Sequence, residues 1–186
     1  ADALSRYNIP TILDPVMVSS SGHRLLSLDA QEVVKERLLQ LSTLVTPNIP
    51  EMEALTAMSL TTAEEKLSAA QYLLSLGAQA VLLKGGHEEG DTKCDTLYQL
   101  DGSNITQLHL STPTVATKNI HGTGCTLSSA IAAFMARGLA LREAVQEAKN
   151  YISEAILSGA DIAIGNGFGP VNHLFNPLPM QVYEER

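Results

Sequence analysis

The sequence contains few aromatic residues and few cysteines, and each shortage limits what the protein can be. Its 186 residues include no Trp, and aromatic side chains make up only 4%, so small and branched aliphatic residues must fill the core. The two cysteines are too few for a disulfide scaffold, and free thiols are typical of a reducing cytosol. We therefore expect a cytoplasmic protein with an aliphatic core.

Positive charge and long apolar runs are scarce as well. Lys and Arg number 12 against 20 Asp and Glu, which gives a formal net charge of -8. This balance argues against nucleic acid or an anionic membrane as a partner, and no apolar run approaches the roughly 20 residues that span a bilayer. A phosphorylated small molecule remains compatible, because a phosphate site needs only a few local donors.

Short apolar runs alternate with helical patterns along the chain. Three short runs predict strands: 11–13 is β-prone, and 44–45 and 80–83 are apolar throughout, as expected for strands that helices cover on both faces. Two further strand-like runs, 96–100 and 105–110, are joined by Asp101-Gly102, which predicts a hairpin. The alternation predicts a three-layer α/β/α fold with a mostly parallel central sheet.

The helices have recognisable start and stop signals. Asp29 is the predicted N-cap of a helix that ends near Leu41, and Thr62 with Glu65 has the pattern of a capping box in a helix that stops at Gly77. The other predicted helices begin near Pro50, span about Gly122 to Gly138 and span about Leu141 to Ser158. Ligands of such folds bind beyond the carboxyl ends of the strands, so the polar segments there are the candidate sites.

The strongest of these segments is Asn-Ile-His-Gly-Thr-Gly-Cys-Thr at residues 119–126. Its glycines allow a tight turn and the close approach of a ligand to the backbone. The helix that follows offers unpaired N–H groups and the positive end of its dipole. The segment therefore predicts an anion-binding turn built by Gly122, Thr123 and Gly124, although an ordinary loop-to-helix turn has the same pattern.

Cys125 lies inside this turn, whereas Cys94 has no such setting and is interpreted as structural or surface. A thiol at a helix N-terminus has its pKa lowered. Such a sulfur can accept a proton from an attacking alcohol or attack an electrophile itself. A buried structural cysteine is the alternative, but the position in the anion-binding turn favours the functional interpretation.

Two further segments follow strands. Asn48 and Glu51 are spaced to hold Mg²⁺ through water, or to cap the helix that begins there; local pattern favours capping, and both roles are compatible. Lys84, beside two glycines, is placed to reach a phosphate, unless it is a solvated lysine in a turn. His87 is interpreted as a surface histidine, and the glycine-rich segment 165–170 as a terminal turn.

With these segments in order, the sequence resembles the hydroxymethylpyrimidine/phosphomethylpyrimidine kinases of thiamin biosynthesis, in the ribokinase-like superfamily. The similar stretches cover essentially the whole chain: 14–18 with 21–22, 46–51, 84–87, 117–128, 146–149 and 167–173. The string His-Gly-Thr-Gly-Cys-Thr, in this order with the others, makes the resemblance specific.

The resemblance implies ATP and Mg²⁺ as cofactors and a role for each candidate residue. The backbone N–H groups of Gly122, Thr123 and Gly124 would stabilise the transferring phosphoryl group, and Cys125 would activate the hydroxymethyl oxygen. The other implied contacts are with the nucleotide (Lys84, Thr46, Asn48, Thr117, Lys118), with the metal (Asp14, Asn48, Glu51) and with the pyrimidine ring (Val16).

The same family carries a further N-terminal region, and residues 1–7 here have the pattern of the end of a helix. We therefore expect residues 1–186 to form a single domain, the C-terminal ATP-binding portion of such a kinase, and the resemblance implies a homodimer. The expected reaction is ATP-dependent phosphorylation of 4-amino-5-hydroxymethyl-2-methylpyrimidine, its monophosphate, or both.

Three alternatives remain open at this point. A kinase of the same superfamily that acts on pyridoxal or hydroxyethylthiazole would share the glycine turn. A cysteine-dependent hydrolase would use Cys125 as nucleophile, with His121 or His87 as its base and no need for ATP. A nucleotide-binding fragment would bind ATP without transferring phosphate.

Overall fold

The computed structural model contains one five-stranded sheet whose strands lie in chain order. It describes residues 1–17, 25–86, 90–177 and 179, so the similar stretch at 21–22 and His87 lie outside the described residues. The strands are β1 (Ile12–Leu13), β2 (Leu44–Val45), β3 (Ala80–Leu83), β4 (Thr92–Asp101) and β5 (Asn104–Pro113). β1, β2 and β3 are parallel, and β4 is antiparallel to both of its neighbours. Four of the five strands therefore point the same way, which confirms the mostly parallel sheet.

Helices connect the parallel strands and follow the hairpin. They are α1 (Leu28–Val33), α2 (Ile49–Thr56), α3 (Ala63–Ser75), α4 (Thr123–Ala136) and α5 (Leu141–Ser158), with a 3-10 turn at Leu4–Arg6. In the described part of the chain, no helix combines the length and the apolar character that crossing a membrane requires.

The strands divide the core into two clusters, one on each face of the sheet. Because successive strand residues point to opposite faces, Val81 and Leu83 pack in the cluster that includes α2 and α3, whereas Ala80 and Leu82 pack in the cluster that includes α4 and α5. Helices cover both faces, so the three-layer architecture is confirmed.

Side-chain caps open α1, α2 and α3, and one of the predicted caps is wrong. The capping box of Thr62 and Glu65 is confirmed. The cap predicted at Asp29 is wrong: Ser27, in extended backbone, accepts the N–H of Ala30 at 3.3 Å and caps the helix two residues earlier. The helix also does not continue as one α-helix to Leu41, since it passes into π and then 3-10 geometry over residues 34–41.

The hairpin is confirmed, but its turn is one residue later than the sequence suggested. Asp101 pairs with Asn104, so the two connecting residues are Gly102 and Ser103. Gly102 has φ +59°, a conformation that glycine adopts without strain and that tight hairpin turns require.

Candidate active site

The carboxyl ends of the parallel strands bring three charged side chains together. Asp14 directly follows β1, Lys84 directly follows β3, and Glu51 lies in the first turn of α2, which follows β2. The Lys84 Nζ lies 2.9 Å from Asp14 Oδ1 and 3.7 Å from Glu51 Oε2. All three side chains are largely buried, at 12%, 14% and 4% exposure for Lys84, Asp14 and Glu51.

The glycine turn that opens α4 lies against the same lysine. A side chain at Gly124 would place its Cβ 3.2 Å from Lys84 Nζ, a closer approach than most Cβ contacts allow. Because glycine has no side chain, the backbone of the turn can approach the ammonium group of Lys84 closely. The structure thus brings together the segments that the sequence placed at three separate points of the chain.

Backbone geometry determines which amides of this turn can bind an anion. Gly122 is the N-cap with φ +83°, in the left-handed region, and no side chain caps the helix. Thr123 already donates its N–H to the carbonyl of Ile120 at 3.2 Å. The next two amides, of Gly124 and Cys125, lie in the first helical turn, where helix geometry supplies no intrahelical acceptor. These two are therefore the amides best placed to receive a phosphate oxygen.

Cys125 is solvent-exposed, but its surroundings are acidic. Partial burial of the sulfur, the negative charge of Asp14, a hydrogen bond with the Asp14 carboxylate and the charge of Glu51 all raise the pKa of the thiol, and only Lys84 opposes them. The predicted lowering of this pKa is therefore wrong, because desolvation and two carboxylates outweigh the charge of Lys84. At neutral pH the sulfur carries its proton and is hydrogen-bonded to Asp14.

Asn48 and Glu51 form a capping box, as local pattern predicted. Asn48 Oδ1 accepts the N–H of Glu51, and Glu51 Oε2 accepts the N–H of Asn48, both at 2.8 Å. The single hydrogen bond leaves Asn48 Oδ1 a second lone pair, so capping and a water-mediated contact with Mg²⁺ are compatible. Asp14 and Glu51 together carry one more charge than Lys84 neutralises, which fits a cation held through water. Among the described residues, no group of three or more His, Cys, Asp and Glu side chains is arranged to hold a metal directly.

Two candidate residues, Thr46 and Val16, donate hydrogen bonds to Asp14. Thr46 is fully buried, and its hydroxyl donates to Asp14 Oδ1 at 2.9 Å. Val16 is half-buried, and its N–H donates to the backbone carbonyl of Asp14 at 2.9 Å. The Thr46 contact orients the carboxylate that faces Lys84 and Cys125, and the Val16 contact holds the backbone of Asp14.

The remaining candidates lie before the glycine turn. Lys118 is exposed, and Thr117 donates its hydroxyl to the carbonyl of Ala160 at 2.9 Å. Thr117 therefore ties this segment to the end of α5, while the ammonium group of Lys118 faces solvent.

Sequence reasoning gave no role to Asn119, which is buried at 7% exposure. Its amide donates to the carbonyls of Gly159 at 2.7 Å and Ile162 at 2.6 Å. A Cβ at Gly169 would lie 1.9 Å from the Asn119 side-chain oxygen, and the Gly169 carbonyl accepts the N–H of His121 at 3.0 Å. Asn119 thus joins three segments just before the anion-binding turn.

A second feature that the sequence did not reveal lies behind Lys84. Asp95 on β4 accepts the N–H of Gly85 at 2.9 Å and contacts Lys149 on α5 at 2.7 Å. The signal in the sequence was an acidic residue within a strand pattern and a lysine on the apolar face of a helix, between Ala148 and Ile152.

Fold and site together define a class of protein. The fold has three layers, with a sheet between helices. At the strand ends, a glycine turn opens a helix beside a lysine and two carboxylates. This is the arrangement of ribokinase-like kinases. The family model described as phosphomethylpyrimidine kinase matches residues 1–172, and the chain belongs to this family.

Individual relatives support the same family. The chain is 41% identical over 175 residues to the hydroxymethylpyrimidine/phosphomethylpyrimidine kinase of Escherichia coli, covering 93% of this chain and 64% of that protein. Its fold is similar to a pyridoxal kinase from Staphylococcus aureus in complex with AMP-PCP (TM-score 0.80, 32% identity, 94% of this chain and 62% of that one). It is also similar to a phosphomethylpyrimidine kinase from Clostridium difficile (TM-score 0.66, 36% identity, 83% and 61%). The chain therefore spans less than two thirds of these relatives' length.

Proposed function

We propose that this chain is the ATP-binding and catalytic portion of an enzyme that phosphorylates 4-amino-5-hydroxymethyl-2-methylpyrimidine, its monophosphate, or both. The observation that carries the proposal is the packing of the glycine turn, at Gly124, against Lys84, which is itself paired with Asp14. The E. coli relative, 41% identical, is named for this reaction. By family resemblance we extend the proposal to a cytoplasmic homodimer in which residues 1–186 form one domain.

Phosphoryl transfer needs charge stabilisation more than covalent chemistry from the protein. The backbone N–H groups of Gly124 and Cys125, together with that of Gly122, would face the oxygens of the transferring group, whereas that of Thr123 is bound to Ile120. Lys84 would neutralise part of the charge of the group. Removal of one such donor from an oxyanion site typically lowers turnover by about 10²–10³. The turn is therefore the proposed centre of catalysis, with Thr117 and Lys118 as further nucleotide contacts.

The proton of the hydroxymethyl group has a defined route in this proposal. Cys125 is protonated at neutral pH and hydrogen-bonded to the Asp14 carboxylate. As the alcohol oxygen forms its bond to phosphorus, its proton passes to the sulfur while the thiol proton passes to Asp14. Val16, whose N–H is bound to the Asp14 backbone, would form a wall for the pyrimidine ring.

Magnesium fits this site through water, with Asp14 and Glu51 as the residues that would hold it. When bound, the ion would neutralise phosphate charge beside Lys84. Thr46 and Asn48 would contribute by orienting these two carboxylates, to which they are hydrogen-bonded at 2.9 and 2.8 Å.

Pyridoxal is the second candidate substrate, since the pyridoxal kinase from S. aureus superposes with a TM-score of 0.80. A cysteine-dependent hydrolase has less support. The charged groups that act on the Cys125 thiol are Asp14, Lys84 and Glu51, which raise its pKa on balance and leave it a poor nucleophile. Of the two proposed bases, His87 lies outside the described residues, and no histidine is among the groups that act on the thiol.

An ATP-dependent phosphorylation assay on the purified protein tests the proposal, with the hydroxymethylpyrimidine and pyridoxal as competing substrates. We expect Cys125→Ala to lower kcat by about 10²–10⁴, the usual contribution of a general base. Cys94→Ala, the matched control on β4, should keep the wild-type rate. Unchanged rates in Cys125→Ala would remove the proposed base, and pyridoxal turnover above pyrimidine turnover would favour the second candidate. ATP binding without transfer would identify a nucleotide-binding fragment.

A further inference from the structure

A buried ion pair lies behind the site, where β3 ends. Asp95 Oδ2 lies 2.7 Å from Lys149 Nζ, and the two side chains are 6% and 11% exposed. The other carboxylate oxygen of Asp95 accepts the backbone N–H of Gly85 at 2.9 Å. One buried carboxylate thus joins β4, α5 and the turn that follows β3.

The position of Asp95 in the sheet explains its bond to Gly85. The antiparallel ladder between β3 and β4 ends at the pair of Leu83 and Thr96, and Asp95 is the next residue of β4 beyond that pair. Its side chain takes the place of a strand carbonyl as the acceptor for the last backbone donor. The Asp95 side chain therefore accepts a backbone N–H at the end of the ladder, where the main chain of β4 no longer provides an acceptor.

Stability alone does not account for a charged pair at this point. Well-packed apolar residues of similar volume often replace a buried ion pair without loss of stability, whereas loss of one partner is strongly destabilising because it leaves an uncompensated charge. A carboxylate here offers an acceptor to Gly85, and Lys149 offsets its charge. The hydrogen bond from Gly85 to Asp95, which holds the turn after β3, therefore explains why a charged pair lies here.

The turn that Asp95 holds carries the site lysine. Lys84 directly precedes Gly85, and its own N–H donates to the carbonyl of Pro47 at 2.9 Å on the opposite side. The main chain at Lys84 is thus bound toward β2 on one side and toward β4 on the other. From this fixed backbone its ammonium group reaches Asp14 at 2.9 Å.

We propose that Asp95 and Lys149 are positioning residues: they hold the backbone after Lys84 and so fix where its ammonium group lies in the site. The effect on catalysis rests on the proposed function, whereas the effect on the position of Lys84 does not. The pair itself lies too far back to touch the reacting atoms, since both side chains are buried between β4 and α5.

Two double variants distinguish a role of the pair in positioning Lys84 from a role in packing between β4 and α5. Asp95→Asn/Lys149→Met removes both charges but keeps an oxygen that can accept the Gly85 N–H. Asp95→Leu/Lys149→Met also removes both charges but provides no acceptor. Neither leaves a lone buried charge, so both are expected to fold, and the comparison isolates the hydrogen bond to Gly85.

The first measurement is the acylation of Lys84 by N-hydroxysuccinimide acetate under native conditions, read by peptide mass spectrometry. Lys35, 20% exposed and distant in sequence from the turn, serves as the internal reference for the extent of labelling. Relative to Lys35, we expect Lys84 in the Leu/Met variant to react about tenfold faster than in wild type, because the turn opens locally. The Asn/Met variant should stay close to wild type. Equal protection of Lys84 in all three proteins would overturn the proposal.

The second measurement is phosphorylation kinetics. We expect kcat/KM for ATP to fall by about a hundredfold in the Leu/Met variant, since small misplacements of a catalytic group have effects of this size. KM for the alcohol should change little, and the Asn/Met variant should keep most of the activity. Equal loss in both variants would show a purely structural role. If wild type transfers no phosphate, the proposed function fails, and the acylation of Lys84 alone decides the positioning role.

Discussion

The sulfur of Cys125 lies among charged side chains that have opposing effects on the pKa of its thiol. Burial and the carboxylates of Asp14 and Glu51 raise the pKa of the thiol, whereas Lys84 lowers it. A helix N-terminus alone would have favoured the thiolate. Its chemistry is thus determined by neighbours that are distant in sequence, and the substitution of each neighbour should move the pKa in a known direction.

Alkylation by iodoacetamide checks this balance, because only the thiolate reacts. In a Cys94→Ser background and metal-free buffer, we expect slow labelling of Cys125 at pH 8 and a rate that reaches half its maximum above the ordinary thiol pKa. Asp14→Asn removes a negative charge, lowers the pKa and should speed labelling at pH 8. Lys84→Gln removes the opposing positive charge and should slow it. Faster labelling in Lys84→Gln than in Asp14→Asn would contradict the electrostatic account.

Among the helices, α3 and α5 differ in how completely their first turns are capped. Thr62 caps α3 through its hydroxyl, with the Glu65 carboxylate returning to the Thr62 N–H at 2.9 Å. In α5, Glu143 accepts the N–H of Ala140 at 3.3 Å, but Ala140 offers no side-chain oxygen in return. The α5 box is therefore half complete, and a single hydroxyl would complete it.

Ala140→Ser should raise the free energy of unfolding by about 1 kcal/mol, because serine can accept the Glu143 N–H that alanine leaves to water. Ala140 is exposed and already extended, with φ -64° and ψ 153°, so no rearrangement is needed. Thr62→Ala is the mirror experiment and should lower the same free energy by about 1 kcal/mol. Urea unfolding followed by circular dichroism measures both, and a destabilised Ala140→Ser would show that α5 begins elsewhere in solution.

Elements with local signals could be predicted from the sequence, and elements with distant partners could not. The boxes at Thr62 and Asn48 depend on residues three apart, so pattern alone revealed them. The cap of α1 was assigned to Asp29 because aspartate is a common cap, but Ser27 lies better placed in extended backbone. The bonds of Asp95 to Lys149 and of Asn119 to Gly159 join residues 54 and 40 positions apart. A local pattern can mark a polar residue in an apolar setting, but it does not identify the distant partner.

At the scale of the whole molecule, the sheet separates two clusters of buried side chains while joining them through shared strands. Leu73 of α3 is fully buried on one face, and Ile131 of α4 is fully buried on the other. Adjacent residues of β3 contribute to opposite clusters. Disruption of the packing in one cluster therefore destabilises the strands against which the other cluster packs. The carboxyl ends of these strands carry the candidate site, so the site depends on both clusters.

We predict that the chain unfolds as one cooperative unit, as expected for a single domain. Leu73→Ala should lower the free energy of unfolding by about 2–5 kcal/mol and Ile131→Val by about 0.5–1.5 kcal/mol. Tyr98, 3% exposed in the cluster of Leu73, contributes to tyrosine fluorescence, while far-UV circular dichroism reports all the helices. In wild type and in both variants the two signals should have the same midpoint. If Leu73→Ala moved the fluorescence midpoint but left most of the helical signal in place, the two faces would be separate folding units, and the strand ends that carry Asp14 and Lys84 could not be treated as one rigid site.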